Sequence, residues 1–203
     1  MRGAVAATFF IAAGSAVVAD PAAIVERGLA RFERTCSAAI ENPQAYVDTI
    51  PNPGPLGNQT ISVSPDGQII MTSFAEEGLI QDVVFLRLPG SLTVHCVVHE
   101  DHTDPDSAIT RLATEEAIAA HTKALAQAVE ALVAGRPDMV VVGGNIPLEF
   151  SSIYNGVAQS GAIPFNYRYG FNLEVAGQKI PSLIEIAYAS TAYQTIHRIE
   201  VPE

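Results

Sequence analysis

The chain has 203 residues, 48% of them hydrophobic, and 22 acidic against 11 basic side chains give it a net charge of −11. That length and apolar content suit one compact domain with a real core. The charge balance argues against a nucleic-acid binder steered by phosphates and against attraction to an anionic membrane. With 7% aromatic residues and no Trp, a stacking platform for sugars or single strands is also disfavoured.

Met1 to Ala19 has the form of a secretory leader. Arg2 supplies the positive start, Ala4 to Val18 the apolar stretch, and small residues end it, so cleavage after Ala19 is expected. No apolar run of membrane-spanning length follows, so no membrane anchor is expected once the leader is removed. Arg outnumbers Lys nine to two, a composition associated with GC-rich bacterial genomes, so the expected location is the periplasm or the medium.

Asp20 and Pro21 open a predicted helix, Asp20 as cap and Pro21 at its first position. Ile24, Val25, Gly28, Leu29, Phe32, Cys36, Ala39 and Ile40 recur along it at helical spacing. Arg27, Arg31, Glu33 and Arg34 fall off that stripe. Asn42-Pro43 restarts a short helix to about Asp48, and the Pro- and Gly-rich stretch 51–57 reads as a stiff connector. Pro65-Asp66-Gly67 and Pro89-Gly90 are turn signals inside a predicted four-strand meander from Ile61 to His99.

A second helix is predicted from Thr114 to Ala134, capped by Thr114 and stopped by Gly135 and Pro137. Its apolar stripe is Ile118, Leu125, Val129, Leu132 and Val133. Met139 to Val142 reads as a short strand, and Leu148 to Gly161 is ambiguous. Phe165 to Val175 alternates cleanly and is the clearest strand; Ser182 to Ala189 and Thr195 to Val201 are expected to be two more. Runs of consecutive strands imply antiparallel sheet. The expected fold is therefore α+β: an N-terminal helix and one long central helix on a mostly antiparallel sheet. The alternative is two similar subdomains divided near Asp104. Setting the segment 90–100 against 180–190 gives only a thin match for a duplication.

Cys36 and Cys96 are the only thiols. Cys36 lies on the helical stripe, and Cys96 alternates with Leu92, Val94 and Val98 on one strand face. Both point to the core, so a helix-to-strand disulfide is expected in an oxidising compartment. There is no Cys-x-x-Cys to suggest redox catalysis.

His95 and His99 lie four apart on a strand, so their Cα atoms sit about 13 Å apart and the two cannot share a metal on a straight strand. A metal-binding reading would use His99, Asp101, His102 and Asp104, where strand becomes loop; the competing reading is a solvated acidic strand end with Asp104 as a helix cap. Tyr167 and Tyr169 on the aromatic strand, with Glu185 and His197, are candidate pocket residues. Glu185 with His197 is the candidate acid/base pair, and Glu185 could alternatively pair with an arginine on a neighbouring strand such as Arg198. His121 borders the stripe of the second helix. Ser160 sits in Ala-Gln-Ser-Gly-Ala, which lacks the glycines of a nucleophile elbow. Gly143-Gly144-Asn145 lacks a following helix start for a phosphate cradle.

A helix carrying Phe32-x-x-x-Cys36, followed by a strand cysteine after Gly90-Ser91, resembles small secreted proteins of alphaproteobacteria. The likeness spans Leu29 to Val98 and implies export without implying an activity, cofactor or site. The expected function is a non-enzymatic exported protein that binds a protein partner or small ligand through its sheet, with no cofactor. Metal binding, and an enzyme with a motif-free acid/base site, are the alternatives.

Overall fold

The computed structural model describes residues 20–50, 59–103, 111–112, 114–141, 148–154, 157–163 and 166–201. The leader, the connector at 51–57, Asp104 and Gly143-Gly144-Asn145 lie outside them. Helix α1 runs Pro21–Glu41, with the Asp20 carboxylate accepting from the Ala22 N–H. Helix α2 is Pro43–Thr49, capped by the Asn42 side chain. Helix α3 is Glu115–Ala134, with the Thr114 hydroxyl accepting from the Ala117 N–H. Each cap satisfies one N–H of the otherwise unpaired first turn.

The strands are β1 Gln59–Val63, β2 Ile69–Glu76, β3 Leu79–Leu88, β4 Ser91–Glu100, β5 Val140–Val141, β6 Leu148–Tyr154, β7 Val157–Ile163, β8 Tyr167–Val175, β9 Gln178–Ala187 and β10 Ser190–Glu200. Seven of them, with the two-residue β5 at one edge, form an antiparallel sheet in the order β1-β2-β3-β4-β10-β9-β8-β5. The ambiguous segment forms a separate hairpin of β6 and β7. Strands β9 and β10 begin earlier than their alternation suggests. Pro181 and the polar start Ser190-Thr191 mask the pattern. The β9–β10 ladder ends at Ser182, one residue after Pro181, where a residue lacking an N–H is tolerated.

The two halves of the sheet repeat each other. Strand β3 (79–88) and strand β9 (178–187) are displaced by 99 residues, and the same displacement carries the Glu77-Gly78 turn onto Ala176-Gly177. All four turn residues have positive φ, as a two-residue hairpin turn of this hand requires. Registers repeat as well. Met71↔Val84↔His95 becomes Gly170↔Leu183↔Gln194. The last strands of the halves, β4 and β10, pair with each other, which puts a local two-fold between Cys96 and Thr195. The repeat lies in backbone pairing; at that displacement the strands share little beyond Gly78/Gly177 and Ser91/Ser190. In the second half, the β6–β7 hairpin falls in the connection between β5 and β8. The matching connection in the first half is the tight turn at Pro65-Asp66-Gly67.

The helices cover one face of this sheet. Strand alternation sends Val94, Cys96 and Val98 of β4, and Tyr193 of β10, to that face, where they are fully buried with Leu29, Phe32 and Cys36 of α1. The Cys36–Cys96 disulfide joins helix to strand, with its Cα atoms 5.7 Å apart. Phe32 meets Phe171 edge-on at 5.7 Å and Tyr193 at 6.2 Å. Arg31 departs from the stripe-based expectation. It is buried, and its guanidinium bonds Glu76 and Glu77 at the β2–β3 turn. Helix α1 lies across the middle of the sheet, against β3, β4, β8 and β10, so its buried stripe is wide enough to take in Arg31 and Thr35.

Candidate functional site

The sheet face opposite the helices is apolar at its centre. Alternation places Met71 of β2, Val84 of β3, His95 of β4 and Ile196 of β10 in one row across four strands. A second row runs Ile69, Leu86, Thr93 and Arg198. Ile196 is 65% exposed and Met71 51% exposed, while Val84 and Leu86 are partly buried by their neighbours. The Nε2 atom of His95 is enclosed with no hydrogen-bond partner among the described residues. A row that surfaces at both ends, at Ile196 and at Met71 beside the exposed Ile69, is a candidate interaction surface, whereas scattered single apolar residues are not.

Sequence reading did not single out this row. The signal was present, because β3 carries Ile80, Val84 and Leu86 on one face as well as Leu79, Val83 and Phe85 on the other. Strands apolar on both faces are the pattern of a sheet covered on both sides.

Towards the top of the same face lies a polar cluster. His99 directs Nδ1 at the Glu100 carbonyl oxygen, 3.0 Å away, and Nε2 at the Asp82 carboxylate, 3.2 Å away. Both partners are acceptors, so the ring makes both bonds only as an imidazolium. The bond to Asp82 accordingly raises the pKa of His99, and the same bond lowers that of Asp82. The His102 ring lies 6.4 Å from that of His99, and burial, then the His99 charge, depresses its pKa. Asp101 is engaged by the Thr103 N–H and hydroxyl. Among the described residues, no three His, Cys, Asp or Glu side chains form a metal-binding group. Asp104, the fourth member of the expected set, lies outside those residues.

The other candidates are not brought together. Tyr167 and Tyr169 face the helices. Tyr169 is buried, with its hydroxyl 3.3 Å from both the Ala126 carbonyl and the Glu130 carboxylate. Burial, then Glu130, raises its pKa. His197 shares the helix-side face at the far end of β10. Glu185 lies on the opposite face, because its partner Ala192 alternates against Tyr193, Thr195 and His197. A sheet thus separates Glu185 from His197, beyond hydrogen-bond reach for joint acid/base work. Glu185 pairs with Arg168 at 3.0 Å, where an alternative expectation had Arg198. His121 is partly buried, and desolvation lowers its pKa.

A cleft of about 410 Å³ beside α1 and the β8–β9 turn contains Glu33, Arg136, Asp138 and Lys179. Arg136 bonds Glu33 at 2.9 Å and Asp138 at 3.1 Å, so its charge is already compensated. Among the described residues, the most deeply placed carboxylate is Glu100. It is buried on the helix side, and one oxygen accepts from both the N–H and the hydroxyl of Thr191, each at 3.2 Å. Burial raises its pKa and outweighs the opposing Thr191 bonds and the Arg27 charge. A raised folded-state pKa contributes stability below the unfolded value and loses it as pH rises through the folded value. Glu100→Gln keeps the acceptor oxygen and removes the charge. The variant is expected to match the wild type near pH 3 and to be more stable at about pH 7. Urea unfolding at both pH values checks this; a variant less stable at neutral pH would mean that the charge is compensated.

The chain matches no known protein family, no curated protein and no solved structure.

Proposed function

We propose that this chain is an exported, non-enzymatic docking protein that binds its partner through the apolar sheet face opposite the helices. The observation that carries the reading is the row of Met71, Val84, His95 and Ile196, exposed at its two ends, Met71 and Ile196. Burying such a surface removes apolar area from water at about 25 cal/mol per Å² before the costs of association. The separation of Glu185 from His197 supports a non-catalytic role. The buried disulfide between α1 and β4, with the leader expected at Met1 to Ala19, supports an oxidising compartment. Among the described residues no helix is long and apolar enough to cross a membrane.

Photo-crosslinking in the native host tests the reading. A crosslinking amino acid at position 196 or 71 is expected to yield a defined protein adduct. The same group at the exposed Ala30 of α1 is expected to yield none. Adducts from Ala30 but none from 71 or 196 would reject the sheet face. A metal-binding reading retains one supporting observation, the closeness of the His99 and His102 rings.

A further inference from the structure

We propose that the occupant of this face is a second copy of the same chain, packed sheet to sheet. This rests on the docking reading above and names its partner. Size is the first argument. Eight strands about 4.8 Å apart, the longer ones eight to eleven residues at about 3.3 Å each, give a footprint of roughly 1,000 Å². A standard interface buries about 800 Å² on each partner, so the face is large enough for a stable dimer.

Charge is the second argument. The chain as a whole has twice as many acids as bases, which would set two copies against each other. The open face does not share that imbalance. Arg168 bonds Glu185, and His99 bonds Asp82. Arg198 and Glu200 lie two apart on the same face of β10. Acids and bases are therefore interleaved around an uncharged centre, and a second copy meets little net repulsion there. An apolar core with a polar rim is the ordinary anatomy of such an interface.

Symmetry is the third. A two-fold dimer requires one patch complementary to itself. The internal two-fold between β4 and β10 makes Val97 and Ile196 equivalent at the centre of the face, while farther out the equivalence is of backbone alone, Ile69 and Leu86 falling on Arg168 and Glu185. Two twisted sheets can then pack face to face with their inward side chains interdigitated.

Sedimentation velocity on the purified, oxidised protein tests the inference. The wild type is expected to form a dimer by about 100 µM, and Ile196→Glu to raise the dissociation constant at least about 100-fold. Ala30→Glu, which adds the same charge on the exposed side of α1, is expected to leave the dimer intact. Circular dichroism and the melting temperature establish that both variants remain folded. A wild type that stays monomeric at that concentration, or a dimer indifferent to Ile196→Glu, overturns the inference. In that case a crosslinked adduct of a different protein at position 196 still supports the docking reading, and no adduct rejects both.

Discussion

The double variant Cys36→Ala/Cys96→Ala is expected to lose about 4 kcal/mol of stability, because the bridge closes a loop with a sequence separation of 60. Without it the unfolded chain regains that loop's conformational freedom. For a chain of this size the loss corresponds to a melting temperature lowered by about 10 °C. The location of the bridge adds to the effect. Both cysteines are fully buried, and they tie the C-terminal half of α1 to a central strand of the sheet, next to Phe32 and Val94. Scanning calorimetry of the variant, and of the wild type with reductant, measures the shift. An unchanged transition would mean that packing alone holds α1 on the sheet.

Gly28→Ala is expected to destabilise the protein by about 2 kcal/mol, although the same change inside an exposed helix ordinarily adds about 1. A Cβ at Gly28 would stand 2.4 Å from Cε2 and 2.8 Å from Cζ of Tyr193. Tyr193 has nowhere to move. Its side chain is fully buried, its ring packs against Phe32, and its hydroxyl donates to the Val25 carbonyl at 3.0 Å. The substitution forces the ring aside and breaks that bond. In a Tyr193→Leu background the cost of Gly28→Ala is expected to shrink, because the two positions are coupled through one contact. Urea titrations of the four proteins measure the coupling. A Gly28→Ala variant as stable as the wild type would show that the ring can yield.

The helices and most strands were legible because they follow single periodicities with explicit ends. Asp20-Pro21, Asn42-Pro43 and Thr114 mark helix starts by side-chain chemistry, and Pro89-Gly90 marks a turn; Gly90 takes the positive φ that turn needs. The disulfide was legible because Cys36 and Cys96 each lie on an apolar face. The sheet order was not legible, since pairing β4 with β10 brings together residues about a hundred apart with no local signal. The 99-residue repeat was hidden for a related reason. It is conserved in turn positions and register, where many side chains serve equally well. Arg31 looked like a surface residue because its partners, Glu76 and Glu77, arrive from a distant turn. The Glu185–His197 pairing failed because alternation assigns a residue to one of two faces, and only the strand order shows which faces coincide. Ile196 escaped notice because Thr195 and His197 flank it, and Met71 because it closes a short apolar run after Ile69 and Ile70; the two become part of a row only across four strands.

Docking of a protein on the open sheet face is the role we propose for this molecule. Native mass spectrometry of the protein gently purified from its host tests it most directly. The expected species is a complex of two chains, or of this chain with another protein, in which each copy is two hydrogens lighter than its reduced polypeptide and carries no metal. A monomer holding a stoichiometric metal ion or small molecule would contradict it and direct attention to His99 and His102.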